Sequence, residues 1–393
     1  MKKSKPKKRR RVCFVITSDI HYTRNKLILF ELKKRKDIEL KIVVGGSALS
    51  SRHSSIEGVE EKLKKDGLDI DERVTILVEG GNLIASAKTA GLGVLEFATV
   101  FEKIEPDVIL LKGDRYEVLS AAIAAVHLNI PIAHIEGGDV SGTVDESIRH
   151  AITKLSHIHF TTNDESSERV KRMGENPSYI FNVGSPDVEY VKESAEKFSI
   201  SNKELLNFGV GGDIDIKKPY ILVLYHPVST EYGKNKEQTE ALSEAINNLK
   251  VQTLWFWPNT DAGTDEVSGV MRRYHEQVKP EHVRFLRYVA EDKFYALLKN
   301  CACLLGNSSS GIKESSYLGV PVVNVGSRQK GRMRGGNVID VEVHKKEKIL
   351  SAVKGQIKQG KYKEDELYSK KSTAKNIAKI LATSELYTQK SFH

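Results

Sequence analysis

The chain has 393 residues, 39% of them hydrophobic and 29% charged, a composition typical of a globular protein with two or three domains. No apolar run reaches the ~18 residues that a membrane-spanning helix needs, which argues against a membrane partner. The net charge of +9 lies almost wholly in residues 1–11, whose eight basic residues leave 53 basic and 52 acidic residues in the body. This balance does not indicate specific nucleic-acid binding, and we expect residues 1–11 to form a disordered basic tail.

Signals for export, disulfides, metals and common cofactors are missing from the sequence. The basic tail is not followed by the apolar region of a secretory signal. The three cysteines, Cys13, Cys301 and Cys303, have neither a disulfide framework nor the spacing of a metal site. No Walker A motif is present, and no Gly-x-Gly-x-x-Gly pattern accompanies a strand–helix junction. We expect a cytoplasmic protein that uses no metal and no cofactor.

The first half of the chain alternates predicted strands and helices. Short apolar runs predict strands, and apolar residues at helical spacing predict helices. Such alternation predicts a parallel sheet with helices on both faces. The predicted strands are 12–17, 40–44, 75–78, 107–111, 131–135, 158–161 and 179–183, and the predicted helices are 24–36, 59–66, 82–104, 117–128, 147–156 and 164–173.

A second round of alternation follows a charged, glycine-containing connector. Its predicted strands are 220–225, 252–257, 283–286, 301–305 and 322–325, with predicted helices at 235–249 and 373–382. The expected fold class is therefore α/β, with two Rossmann-like, doubly wound domains facing each other across a cleft, as in GT-B glycosyltransferases. We assign 12–200 to the N-terminal domain, 201–370 to the C-terminal domain, and 371–393 to a helix that returns to the N-terminal domain.

In the first domain, ionisable residues follow two of the predicted strands. Ligands of open α/β sheets bind at the carboxyl ends of strands, so this convergence predicts a functional site. The alternative is an ordinary loop in which Asp145 caps the following helix. Asp114 and Arg115 follow the strand 107–111, while the segment 134–150 carries three glycines together with Glu136, Asp145, Arg149 and His150.

In the second domain, the run Gly306-Asn307-Ser308-Ser309-Ser310-Gly311 follows a strand and is predicted to open a helix. Small residues there expose backbone N–H groups, which favours a diphosphate site over an ordinary serine cap. Glu314 is placed to accept two ribose hydroxyls, and Arg328 follows the next strand. Strand ends also carry His226, for which we expect a catalytic or phosphate-binding role, and Asn259.

With these residues in view, the chain resembles the hydrolysing UDP-N-acetylglucosamine 2-epimerases, sialic-acid pathway enzymes that release N-acetylmannosamine and UDP. The resemblance covers nearly all of the chain from residue 12 to about residue 385. It rests on Gly113-Asp114-Arg115, the segment 134–155, His226-Pro227-Val228-Ser229-Thr230, Pro258-Asn259-Thr260-Asp261-Ala262-Gly263, and the segment 306–314 with Arg328.

The resemblance implies an anti elimination of UDP with loss of the C2 proton, followed by hydration that inverts C2. It implies that Asp114, Glu136, Asp145 and His226 are catalytic, without assigning the group that removes the C2 proton. It places the nucleotide on Ser308, Ser309, Glu314 and Arg328, near Val289, with Arg115 stabilising the departing diphosphate. Arg149, His150 and Asn259 complete the expected substrate-binding set. The expected partners are a UDP-sugar, UDP, and further copies of the chain in a homodimer or homotetramer.

One stretch departs from the family pattern. The family usually has Arg-x-Asp-Tyr after the first strand, whereas this chain has Asp19-Ile20-His21-Tyr22, with Arg24 close by. We expect the chain to convert UDP-N-acetylglucosamine to N-acetylmannosamine and UDP, and this departure leaves two alternatives open. One alternative is the hydrolysing 2-epimerase of UDP-2,4-diacetamido-2,4,6-trideoxyhexose, and another is a GT-B glycosyltransferase that passes the sugar of a UDP-sugar to an acceptor.

Overall fold

The structure, a computed structural model, describes residues 8–50, 58–259 and 261–393. Its first half forms a seven-stranded parallel sheet with helices on both faces. The strands are β1 (Arg10–Ile16), β2 (Ile38–Gly45), β3 (Glu72–Val74), β4 (Val108–Lys112), β5 (Ile132–Ile135), β6 (Ile158–Thr161) and β7 (Ile180–Asn182). The helices are α1 (Asp19–Thr23), α2 (Lys26–Lys34), α3 (Val59–Lys65), α4 (Leu83–Ile104), α5 (Tyr116–His127), α6 (Val144–Leu155) and α7 (Asp164–Arg172).

The second half repeats this architecture around a second seven-stranded sheet. Its strands are β8 (Val210–Gly211), β9 (Tyr220–Leu224), β10 (Gln252–Phe256), β11 (Val283–Leu286), β12 (Cys303–Gly306), β13 (Val322–Val325) and β14 (Val338–Val341). The helices are α8 (Pro186–Ser194), α9 (Asn202–Leu206), α10 (Asn235–Leu249), α11 (Thr264–Arg273), α12 (Glu291–Asn300), α13 (Glu314–Tyr317), α14 (Lys346–Gln359) and α15 (Thr373–Thr383).

Both sheets are doubly wound, which confirms the expected α/β fold with two Rossmann-like domains. The strand orders are β3-β2-β1-β4-β5-β6-β7 and β14-β13-β12-β9-β10-β11-β8, and β8 pairs antiparallel with β11 at one edge. Because the winding reverses beside β1 and beside β9, the switch points lie between β1 and β4 and between β9 and β12. Ligands of such sheets bind where the strands end at these points, and both switch points open onto one cleft between the domains.

The apolar pattern of the strands explains the two-sided core. In β1, Val12, Phe14 and Ile16 pack on one face of the sheet, whereas Cys13 and Val15 pack on the other. Successive side chains of a strand point to opposite faces, so a strand that is apolar at every position must be covered on both sides.

The start of β1 corrects the expected boundary of the basic tail. The strand begins at Arg10 rather than residue 12, and the Arg10 guanidinium donates to the carbonyl oxygens of Leu381 (2.5 Å) and Ser384 (2.8 Å). The backbone N–H of Arg11 donates to Asp107 at 2.7 Å. Arg10 and Arg11 are therefore structural, and residues 1–7 of the predicted tail lie outside the described residues.

Two other predicted elements have bounds that differ from the observed ones. The strand expected at 75–78 lies three residues earlier, because Glu72–Val74 pair with β2, while the N–H of Val78 is taken by the Thr89 hydroxyl at 2.9 Å. The helix expected at 24–36 is preceded by the separate turn of α1, which Ser18 caps by accepting from the N–H of His21.

Helices at the junction of the domains bind both halves together. Tyr190 and Val191 of α8, inside the range assigned to the first domain, pack in a core with Leu205 and with strands of the second sheet. The returning helix α15 packs Ile377 and Leu381 into the core of the first sheet.

Helix α4 is long and apolar enough, by length and composition, to cross a membrane. Lys88 and Glu96 interrupt the apolar residues of this helix, which is why the sequence contains no continuous run of 18 apolar residues. In the structure Phe97 and Phe101 pack against the first sheet, while Ile84 and Leu95 are 69% and 66% exposed. The helix therefore covers the sheet with one side and leaves an apolar face uncovered.

Candidate functional site

The first-domain wall of the cleft is built from the ends of β4 and β5 and the start of α6. Glu136 follows β5 directly, with a left-handed backbone (φ 71°) that is uncommon outside glycine, and its side chain lines the cleft. Asp145 and Arg149 are four residues apart on α6, so they share the face that looks into the cleft. Arg149 forms an ion pair with Asp114, which follows β4.

The cap of α6 differs from the expected one. Thr143, not Asp145, is the N-cap residue, and its hydroxyl accepts from the N–H of Asp145 and donates to the Asp145 carboxylate at 2.9 Å. The Asp145 carboxylate is therefore not used as a helix cap.

Glu136 lies between two ammonium groups. The Lys313 Nζ is 2.7 Å from Glu136 Oε1, and the Lys112 Nζ is 3.8 Å from the same oxygen. Burial raises the pKa of Glu136, but the attraction of Lys313 and Lys112 outweighs it and lowers the pKa from 4.5 to about 2. Glu136 is therefore a carboxylate at neutral pH although it is only 7% exposed.

The pKa of Asp145 is displaced in the opposite direction. Burial and the nearby carboxylate of Asp261 raise its pKa, and the opposing effects of Arg328, the Thr143 hydroxyl and Arg115 are smaller. Two carboxyl groups whose environments push their pKa values apart are the arrangement that acid and base chemistry requires.

In the second domain, His226 follows β9 at the switch point and lies behind Asn259 of the cleft wall. Its backbone N–H donates to Asn307 at 2.8 Å, and its Nδ1 accepts from the N–H of Asn259 at 3.1 Å. Burial and the charge of Arg328 lower the pKa of His226 to about 3, so the ring is neutral and its proton lies on Nε2.

Two guanidinium groups approach the same carboxylate from opposite domains. Arg115 lies 3.5 Å from Asp261, and Arg328 lies 3.7 Å from it. Glu117 fixes Arg115 through two hydrogen bonds of 3.0 Å. Such a pair of arginines offers the forked donors that suit a diphosphate.

Glu314 is completely buried at the base of the loop that follows β12. Its Oε1 accepts from Arg24 (2.9 Å), Tyr295 (3.3 Å) and Ser310 (3.3 Å). Its Oε2 is buried without a hydrogen-bond partner, which fits an oxygen that accepts from a ligand hydroxyl.

The structure shows how Asp19, at the position where the family has an arginine, is paired. Lys62 pairs with Asp19 at 2.7 Å, so the acid is neutralised within the first domain. Arg24 instead crosses to Glu314, five residues after the position where the family has its arginine.

Four expected binding residues, among them the buried Glu314, do not line the cleft, and neither does the expected catalytic residue His226. His150 is one position beyond Arg149 on α6, which turns it toward Glu146 at 3.7 Å. Val289 is buried in the second-domain core. Ser308 caps a single 3₁₀ turn, Ser309–Gly311, in place of the expected long helix, whereas Ser309 does line the cleft.

Several residues of the cleft were missed as site residues. Lys112 ends β4, and Asp187 forms a buried ion pair with it. Lys313 lies within the segment 306–314, where a single lysine after a run of serines carries no signal of its own. The remaining residues of the cleft wall not predicted as site residues are Ser18, Ile20, His21, Arg24, Gly113, Tyr116, Ser141, Thr143, Asp261, Gln329 and Arg332.

The two walls meet closely. Gly142 donates its N–H to the Arg328 carbonyl at 3.0 Å, and a Cβ at Gly142 would lie 1.8 Å from the Ser327 carbonyl oxygen. Only glycine fits this contact between the domains. Within residues 8–50, 58–259 and 261–393, no cluster of three or more His, Cys, Asp or Glu is arranged to hold a metal ion.

Comparison with known proteins places these features in one family. The family model for UDP-N-acetylglucosamine 2-epimerase matches residues 30–382. The chain is 36% identical over 380 residues, 97% of each chain, to the hydrolysing UDP-N,N'-diacetylbacillosamine 2-epimerase of Legionella pneumophila. It is 29% identical over 342 residues, 86% of this chain and 85% of the relative, to the hydrolysing GDP/UDP-N,N'-diacetylbacillosamine 2-epimerase of Campylobacter jejuni.

A solved structure shares the fold. The Methanocaldococcus jannaschii UDP-GlcNAc 2-epimerase, in complex with UDP-GlcNAc and UDP, superposes with a TM-score of 0.78 and 19% identity, covering 95% of this chain and 100% of its own. The family model and the 36% identity to the Legionella enzyme confirm the sequence resemblance, and the chain belongs to the hydrolysing UDP-N-acetylglucosamine 2-epimerase family.

Proposed function

We propose that this hydrolysing 2-epimerase cleaves a UDP-2-acetamido sugar in the cleft, releasing UDP and the sugar inverted at C2. The observation that carries the proposal is the pair of carboxyl groups Glu136 and Asp145, whose pKa values are displaced in opposite directions beside two arginines. Inverting C2 through an unsaturated intermediate removes hydrogen from one face and adds it to the other. Two separate proton-transfer groups meet that requirement.

In the elimination step, Glu136 takes the C2 proton as the C1–oxygen bond breaks and UDP leaves as an anion. Glu136 suits this step because Lys313 and Lys112 keep it ionised. The electron pair of the C2–H bond becomes the C1–C2 double bond of a 2-acetamidoglucal.

Hydration then adds water oxygen to C1 and a proton to C2. Asp145 suits the delivery of that proton because its pKa is raised. The proton lost by the attacking water restores Asp145, and Glu136 returns its own proton to solvent.

The departing diphosphate needs positive charge and hydrogen-bond donors. Arg115 and Arg328 supply the charge once the diphosphate displaces Asp261 from between them. Neutral His226 supplies Nε2–H, and preorganised donors of this kind stabilise charge as it develops. The free Oε2 of Glu314 is suited to the ribose hydroxyls.

Of the two candidate sugars, we propose UDP-N,N'-diacetylbacillosamine, a UDP-2,4-diacetamido-2,4,6-trideoxyhexose, ahead of UDP-N-acetylglucosamine. This choice is supported by the Legionella and Campylobacter relatives, both of which carry that substrate in their names. It reverses the preference for UDP-N-acetylglucosamine drawn from the motifs alone.

The test is UDP release from each sugar without any acceptor, with the sugar product identified by NMR. We expect a kcat/KM at least tenfold higher for the diacetamido sugar, and at least ~10²-fold slower release for Glu136→Gln and Asp145→Asn. A higher kcat/KM for UDP-N-acetylglucosamine would reverse the choice of sugar. Release that requires an acceptor would identify a glycosyltransferase and refute the proposed reaction.

We further propose that the enzyme is a cytoplasmic homodimer or homotetramer joined through the exposed face of α4. The support is the pair Ile84 and Leu95, 69% and 66% exposed on an apolar helix, since such faces mark contacts between proteins. The three buried free thiols, Cys13, Cys301 and Cys303, suit a reducing compartment. Leu95→Lys should lower the mass measured by light scattering, and an unchanged mass would refute this interface.

A further inference from the structure

Lys313 is the side chain by which the second domain reaches the carboxylates of the first. It lies between the 3₁₀ turn that follows β12 and the start of α13, and it is only 2% exposed. Its Nζ is 2.7 Å from Glu136 and 2.9 Å from Asp139, both in the loop after β5. One ammonium group therefore joins two buried carboxylates across the cleft.

This contact exists only when the cleft is closed. Lys313 and Glu136 are 177 residues apart and belong to different sheets, so separating the domains separates the two charges. Asp139 keeps its other partners in either case, because the hydroxyls of Thr162 and Ser166 donate to it from within the first domain at 2.6 and 2.7 Å.

We propose that Lys313 is a positioning residue that couples closure of the two domains to the ionised state of Glu136. The proposal deepens the proposed function, on which its kinetic test rests. Closure buries Glu136 beside Asp139, and the same movement places the Lys313 ammonium group between the two carboxylates, where it offsets part of their negative charge.

The electrostatic surroundings of Glu136 show why the lysine matters. If Lys313 were apolar, closure would bury two adjacent carboxylates, with Arg332 acting only on Asp139 and one ammonium group 3.8 Å from Glu136. That ammonium group, Lys112, is itself paired with Asp187. Burial and like charge both raise a carboxyl pKa, so Glu136 would take up a proton or the cleft would stay open. The charged or titratable groups that face Glu136 from the elements around it are Lys112, His21, His134, Lys313, Asp139 and Asp187.

Closure does not depend on Lys313 alone. Arg24 meets Glu314 at 2.9 Å, and Lys62 meets Tyr288 at 3.0 Å, again between the two halves of the chain. A variant without the Lys313 charge can therefore still close once Glu136 is neutral. This makes the effect of the substitution depend on pH.

The kinetic test compares Lys313→Met with Lys313→Arg and with the control Lys293→Met, which removes a surface lysine that pairs with Glu204 of the same domain. We expect Lys313→Met to move the acid limb of the kcat profile upward by about 3–5 pH units, the range for a fully buried carboxyl group, so that Glu136 is neutral at pH 5 and ionised at pH 8. Each unit lowers the rate on that limb about tenfold. Lys313→Arg should return the acid limb of the kcat profile to its wild-type pH, and Lys293→Met should leave the limb at that pH. An unshifted limb in Lys313→Met would overturn the proposal.

A second measurement needs no turnover. Small-angle scattering of the unliganded Lys313→Met variant should give a larger radius of gyration at pH 8 than at pH 5, whereas the wild type should stay closed at both. Adding Glu136→Gln to Lys313→Met removes one of the two crowded charges and should restore closure at pH 8. Equal radii for Lys313→Met and wild type at both pH values would overturn the proposal.

The two measurements separate the two claims. If wild type releases UDP from neither sugar, the proposed function fails, and scattering still decides the role of Lys313. If wild type releases UDP and Lys313→Met matches it in both pH profile and scattering, the proposed function stands and the role of Lys313 fails.

Discussion

Glu189 should make the stability of this enzyme fall as the pH rises toward neutrality. The side chain lies on α8 under the start of α15, is 6% exposed, and accepts the N–H of Ala374 at 2.7 Å. Burial, together with Glu193 and Glu31, raises the pKa of Glu189 from 4.5 to about 7 despite that hydrogen bond. The folded protein therefore holds a proton that the unfolded chain releases.

The sign and the size of the effect of Glu189 on stability follow from the linkage between proton binding and folding. The protonated carboxyl contributes its full stability below pH 4.5, and the contribution is lost as the pH rises through about 7. This rise in the pKa of Glu189 corresponds to about 3 kcal/mol of folding free energy. Glu189→Gln keeps an acceptor for Ala374 and does not titrate. We expect it to match wild type at pH 4 and to be more stable by about 3 kcal/mol at pH 8.5, raising Tm by roughly 3–5 °C.

The assay is thermal unfolding followed by circular dichroism for both proteins between pH 4 and pH 8.5. Glu193→Gln is the matched control, because it changes a neighbouring charge on α8 without removing the buried carboxyl. UDP release at pH 7.5 should be unchanged in Glu189→Gln, since the residue is outside the cleft wall. A Tm difference that stays constant across this pH range would refute the reasoning.

Three further outcomes are expected. Removing residues 1–7 should leave Tm and UDP release unchanged. Arg10→Ala should lower the free energy of unfolding by about 1.5–3 kcal/mol, because the variant loses charge-assisted hydrogen bonds to Leu381 and Ser384. Equal unfolding curves for Arg10→Ala and wild type would contradict this expectation. Gly142→Ala should lower kcat at least tenfold with little change in UDP affinity by calorimetry, because its Cβ meets the Ser327 carbonyl when the cleft closes. A chelator should not change the initial rate of UDP release, and loss of activity restored by a divalent ion would contradict that expectation.

Helical periodicity explains one success and one failure at the site. Asp145 and Arg149 are four residues apart, and both line the cleft as the period of α6 requires. His150 was grouped with them because it ends the same motif, but one further residue turns the side chain by about 100°, to a contact with Glu146. The sequence already contained this information in its spacing.

The strand ends were predictable for a different reason. Runs of β-branched and aliphatic residues can be buried on both faces only in a parallel sheet, which places whatever follows each strand at one edge. Asp114, Glu136, His226 and Ser309 were located in this way, and each lies at or beside the cleft. The edge strand β3 was misplaced because its partner, β2, selects the pairing register.

The sequence by itself predicted two parallel sheets and the residues that follow most of their strands, because these depend on local apolar patterns. The tertiary structure added the edge strands β8 and β14 and set the strand order, and with it the switch points. The tertiary structure alone decided which charges meet. Lys313 reaches Glu136 over 177 residues, and Arg24 reaches Glu314 from the other domain. It also decided that Arg10 belongs to the body rather than the tail, since its acceptors lie beyond residue 380. Charge interactions depend on distance and burial, and neither is written in the spacing of residues along the chain.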